Sequence, residues 1–173
     1  MSIARLSQEK WIDAGFDALN RLGPKALAAE PLARQLGTTK GSFYWHFKDV
    51  PAFHAALLQH WHEAALTDVA ELLGADGGAD ARLRQFGRTV LTDASDTALR
   101  IWAHTDVDVA RRLAEVDAER LRYLGVLLKH FGLTNPAFAH AILASLVGLP
   151  QLQADTDRIA AFDALVDTVV ALA

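Results

Sequence analysis

Apolar residues recur every three or four positions along nearly the whole chain. No run combines strict alternation with β-branched or aromatic enrichment. This pattern predicts an all-α protein of about nine helices. Ile12, Phe16, Leu19 and Leu22 form the stripe of a first helix, which Ser7 can cap and Gly23-Pro24 ends. A short second helix is expected over 29–36, with Pro31 tolerated in its first turn and Gly37 as its stop. A third begins near Thr39 and carries Phe43 to Phe47. Asp49 caps a fourth, longer helix that bears Phe53, Leu57, Leu58, Trp61 and Leu66 and runs to about Leu73. Residues 74–80 are the clearest breaker. Beyond it, helices are predicted over 81–94, 97–104, 107–131, 136–149 and 156–172. Their breaks are expected at Ser95-Asp96, Thr105-Asp106, 132–135 and 150–155. The breaker at 74–80 separates the first four helices from the rest, with the fourth belonging to both parts; the chain is divided into a three-helix unit, 1–50, and a helical domain, 51–173.

Residues 32–47 have the mechanics of a helix-turn-helix. Ala33 is small where two helices must touch. Leu36-Gly37 offers a hydrophobic end and a φ-permissive turn. Thr39 can cap the next helix, which places Lys40, Gly41 and Ser42 in its first turn, where backbone N–H groups favour phosphate. Phe43 and Phe47, four apart, can anchor the inner face. Tyr44, Trp45 and His46 are then left for the outer faces, within reach of sugar-phosphate or a thymine methyl.

The run Leu32-Ala33-x-x-Leu36-Gly37-x-Thr39-x-Gly41-Ser42-Phe43-Tyr44-x-His46-Phe47 resembles the DNA-binding domain of the TetR family of bacterial regulators, with the helix-turn-helix spanning about 28–47. The later helices resemble that family only in number, length and order. The resemblance implies a homodimer that binds a palindromic DNA operator, most simply as a repressor, and is released by a small effector. It implies Thr39, Lys40, Gly41, Ser42, Tyr44, Trp45, His46 and Lys48 as DNA contacts. It also implies a bacterial cytoplasmic location at the nucleoid, and neither cofactor nor catalysis. Two positions depart from the family. Ala28 and Ala29 stand where a capping, phosphate-touching Thr is usual, and Val50 stands where Lys or Arg is usual. Both changes remove backbone contacts.

Charge modifies this picture mildly. The net charge is −4, yet residues 1–50 hold seven Lys/Arg against five acids, so the acidic excess lies entirely in the rest. That asymmetry has the sign expected if the first helices face phosphate. There is no cysteine, which excludes disulfides, thiol nucleophiles and Cys-ligated zinc. The residues after Met1 do not form a leader-like apolar run. The uncharged window 131–154 is interrupted by Asn135, Pro136, Pro150, Gln151 and Gln153, and reads as a buried helix and not a membrane span.

The seven histidines show no paired-ligand spacing, so no metal site is expected. Nor is there a P-loop, Rossmann or nucleophile signature. In the second half, the resemblance implies an effector pocket, to which His54, Leu57, Trp61, Phe86, Val90, Trp102, His104, Tyr123 and Leu127 are assigned. Its aromatic lining suggests an apolar or aromatic effector. The last two helices read as a dimer interface through Ala141, Ile142, Ser145, Leu149, Phe162, Val166 and Val169, forming a four-helix bundle with a second copy. Arg111, Arg112, Arg120 and Arg122 lie among acids and read as ion pairs on a solvated face. Two other readings stay open: a small-molecule sensor with reduced or lost DNA binding, and an all-α enzyme or carrier with a coincidental helical corner.

Overall fold

The computed structural model describes residues 6–74, 76–152 and 157–172. Among them there are nine α-helices and no strand: α1 (Gln8–Leu22), α2 (Ala29–Gln35), α3 (Lys40–His46), α4 (Val50–Gly74), α5 (Ala79–Thr92), α6 (Ala94–Ala103), α7 (Val107–Lys129), α8 (Pro136–Gly148) and α9 (Arg158–Ala171). Short 3-10 turns follow α1 and α8. The expected start of the last helix at Thr156, and the second half of the break before it, lie outside the described residues. No helix among the described residues is long and apolar enough to cross a membrane.

Local chemistry sets the early boundaries. The Ser7 hydroxyl accepts from the Lys10 N–H at 3.4 Å, and Asp49 Oδ1 accepts from the Ala52 N–H at 2.8 Å ahead of α4. One boundary differs from the expectation. The α5–α6 joint falls at Asp93, not at Ser95-Asp96, because the Asp93 carboxylate caps the Ser95 N–H at 2.9 Å. Asp96 is then carried into the first turn of α6, where it is buried.

Two apolar cores result. The first gathers Trp11, Leu19, Leu32, Phe43, Phe53, Leu57, Trp61, Leu99, Trp102 and Val116 from α1–α4, α6 and the first half of α7. The second gathers Val69, Leu72, Leu83, Phe86, Tyr123, Leu127, Ile142, Phe162 and Val166 from the end of α4, α5, the second half of α7, α8 and α9. The long helices α4 and α7 pass through both, so the cores do not separate at residue 50. Between the helices of the first core and α7 sits a charge cluster. Asp96 Oδ1 accepts from Arg120 at 2.6 Å and its Oδ2 from Arg100 at 2.7 Å, while Arg100 grips Asp117 with two further bonds of 2.9 and 2.7 Å. Burial opposes the Arg100 charge, but its bonds to Asp117 and Asp96 outweigh that and push its pKa above the usual arginine value. Arg120 therefore corrects the expectation of a solvated face. It is 4% exposed and paired across helices with Asp96. Arg111 and Arg122 do form the expected surface pairs, with Asp108 and Glu115 and with Glu119 respectively.

Candidate functional site

Ala28 stands at the N-cap of α2 and offers no side-chain hydrogen bond, so the missing Thr leaves the helix start open. It ends in a Schellman turn: the Thr38 N–H donates to the Ala33 carbonyl (2.9 Å), the Gly37 N–H to that of Arg34 (3.2 Å), and Gly37 takes φ +62°. That left-handed residue reverses the chain into α3. There the Thr39 hydroxyl accepts from the Ser42 N–H at 3.3 Å.

The inner face of α3 is fixed by rings. Phe43 is fully buried and meets Trp11 edge-on at 5.4 Å between centroids, and Phe53 at 5.4 Å. Phe47 meets Phe53 at 4.9 Å. Edge-to-face pairs of this kind add about 0.5–1.5 kcal/mol each beyond burial. α3 is thus clamped between α1 and α4, and its outer residues inherit a defined orientation. Tyr44 is 44% and Trp45 75% exposed. The Lys40 ammonium lies 5.9 Å from the centre of the Tyr44 ring, a cation–π arrangement that holds both on one side of the helix. Thr39, Gly41 and Lys48 are exposed, and Ser42 is half-buried. His46 departs from a fully outward position: it is half-buried, and its Nε2 has no hydrogen-bond partner among the described residues. All eight residues assigned to DNA contact thus lie on α3 or immediately beside it.

The nine residues assigned to an effector pocket are not gathered around one cavity. Leu57, Trp61 and Trp102 belong to the first core, where Trp61 Nε1 donates to Asp93 at 3.1 Å. His54 bonds the Leu27 carbonyl at 2.9 Å and packs edge-on against Trp102, and His104 is exposed at the end of α6. Phe86, Val90, Tyr123 and Leu127 belong to the second core. A cleft of about 610 Å³ opens between the end of α4, α7 and the start of α8, and of the nine only Tyr123 lines it. Sequence reasoning missed this cleft because it followed aromatic residues, which pack into the cores. The available signal was Gly125 in mid-helix between Arg122 and Lys129.

At the other end of the chain, Ile142, Phe162, Val166 and Val169 turn into the second core, and only Ala141, Ser145 and Leu149 of the assigned interface reach the surface. The outward faces carry small residues instead: Ala141, Ala144 and Gly148 on α8, and Ala160, Ala164 and Thr168 on α9. Among the described residues no group of His, Asp and Glu is arranged to hold a metal ion.

No protein-family model matches the chain. Over 73 residues it is 36% identical to the class D tetracycline repressor protein of Escherichia coli, a match covering 40% of this chain and about a third (34%) of the repressor's length. The fold matches NemR of Escherichia coli with a TM-score of 0.76 at 17% identity, over 94% of this chain and 96% of that one. It also matches FadR of Bacillus subtilis, solved with stearoyl-CoA, with a TM-score of 0.69 at 14% identity, over 96% of this chain and 100% of that one. The aromatic-clamped α3 behind its Schellman turn thus sits in a chain that is similar in sequence to a tetracycline repressor over 73 residues and shares its fold with NemR and FadR.

Proposed function

We propose that the protein is a homodimeric DNA-binding repressor that places α3 in the major groove of a palindromic operator and is released by a small-molecule effector. The observation that carries this is the outer face of α3, where Lys40, Tyr44 and Trp45 stand exposed on a helix locked from behind by Phe43 and Phe47. Residues 1–50 serve as the DNA-facing unit and residues 51–173 as the effector and dimerisation part. The small-residue faces of α8 and α9 suit close packing against a second copy, which would set two α3 helices about one DNA turn (~34 Å) apart. The stearoyl-CoA bound to Bacillus subtilis FadR supports a small-molecule effector for this fold. The protein acts in the cytoplasm.

Gel-shift titration of genomic fragments across a salt series tests the DNA role. Affinity should fall with salt, each phosphate contact contributing about 0.9 to the logarithmic slope. The double variant Lys40→Ala, Tyr44→Ala should lose operator binding. A flat salt response, or full binding by that variant, defeats the proposal.

The uncapped Ala28 and the neutral Val50 favour a second reading, a small-molecule sensor with weakened DNA binding. Retained effector binding with no shift on any fragment would select it.

A further inference from the structure

The cleft between α4, α7 and α8 combines three features that the packing of the fold does not require. Its walls are apolar, formed by Val69, Leu73, Tyr123, Val126, Leu133 and Ala139. Leu73 and Val126 remain 53% and 45% exposed along it. Its volume of about 610 Å³ lies within the range that small ligands occupy.

The second feature is Gly125. Glycine weakens a helix interior relative to alanine, so a mid-helix glycine usually has a packing reason. Gly15 and Gly87 have one, since a Cβ there would collide with Phe53 and Leu57, or with Phe162. A Cβ at Gly125 would meet nothing within 4 Å, and Gly125 lines the cleft. Its missing side chain leaves room that none of the described residues fills.

Charge is the third. Arg122 and Lys129 stand two turns apart on the same stripe of α7 and both line the cleft. Arg122 is paired with Glu119, also a lining residue, whereas Lys129 forms no ion pair among the described residues. Thr134, Asn135 and Pro136, at the positive end of the 13-residue helix α8, complete the mouth. Two cations and a helix N-terminus thus face one carboxylate that is already engaged.

We propose that this cleft binds a small amphiphilic carboxylate, its apolar body over Gly125 and its charged head held by Lys129 beside the start of α8. The assignment rests on the second half of the chain being the effector-binding part. It differs from the sequence expectation both in place and in chemistry, since the ligand is anionic and its walls are largely aliphatic.

Calorimetric titration of the DNA-free protein with dodecanoate and with 1-dodecanol tests it. The wild type should bind dodecanoate at least tenfold more tightly than the alcohol. Lys129→Glu should erase that preference. Gly125→Leu, which keeps a good helix former in α7, should abolish binding of both probes while retaining the wild-type melting temperature. Equal binding of acid and alcohol, no binding of either, or unchanged binding by Gly125→Leu overturns the proposal. So does a change of oligomeric state in Gly125→Leu by light scattering, which would make the cleft a contact between copies. Operator release is read separately by gel shift. Dodecanoate binding without release would leave the cleft assignment intact and count against release by this ligand.

Discussion

Gly87 on α5 faces Phe162 on α9 so closely that a Cβ at position 87 would lie 2.1 Å from the ring's Cε1. The ring cannot retreat without moving α9, because Phe162 is buried in the second core with Val166 and Val169. Gly87→Ala should therefore cost about 1–3 kcal/mol by overpacking, despite alanine's better helix propensity. Thermal melting should show the loss, and adding Phe162→Leu should recover part of it. An alanine variant as stable as the wild type would show that α9 packs less tightly than described.

The turn into α3 should be sensitive at two adjacent points for different reasons. Gly37→Ala forces a side chain into φ +62° and should cost about 1–2 kcal/mol. Thr39→Ala removes the cap on Ser42 and should cost about 1 kcal/mol. Urea denaturation measures both. Equal stability of the wild type and Gly37→Ala would mean that the turn is reshaped in solution.

Removing Asp96 leaves the Arg120 guanidinium buried beside Arg100 without its 2.6 Å partner. Breaking such a buried pair from one side costs about 3–5 kcal/mol, so Asp96→Ala should be among the more destabilising single changes in the chain. Arg111→Ala, which breaks only exposed pairs, should change stability by less than about 1 kcal/mol. Comparable effects from the two variants in denaturant titration would contradict a buried role for the cluster.

Burial pushes the Tyr123 hydroxyl above the usual tyrosine pKa, with nearby Arg82 pulling partly back. The folded chain thus holds this proton more tightly than the unfolded chain. The resulting stabilisation is complete below the ordinary tyrosine value of about 10 and is lost as pH rises through the higher folded value. Tyr123→Phe should remove that alkaline component and the 3.3 Å bond to the Leu72 carbonyl. Denaturation midpoints of both proteins, compared from neutral to alkaline pH, should converge at the alkaline end. Parallel midpoints throughout would refute the shift.

The first four helices were legible in the sequence because their boundary signals are local. Ser7, Thr39 and Asp49 each cap the backbone N–H three residues ahead, and Gly37 ends α2 through its own backbone. The later errors have distant partners. Asp96 looked like a helix breaker, but Arg100 and Arg120 claim it from inside the fold. Arg120 looked solvated because acids surround it in sequence, and its main partner lies 24 residues away. Phe162, Val166 and Val169 looked like an interface because periodicity shows that a face is apolar without showing what covers it; here α5 does. The buried residues assigned to an aromatic pocket are likewise divided between the two cores. Gly125 was visible in the sequence, but its meaning depends on the empty space around it.

The passage of α4 and α7 through both cores has a consequence for modularity. The first core draws Leu99, Trp102, Val109, Leu113 and Val116 from the far side of α5. A hybrid chain joined at residue 50 would strip Phe43 and Phe47 of the Phe53 ring that packs on both. A transplantable α3-bearing unit is therefore a discontinuous piece, α1 through the first half of α4 together with α6 and the start of α7. Its exchange between chains of this fold requires two grafts in place of one.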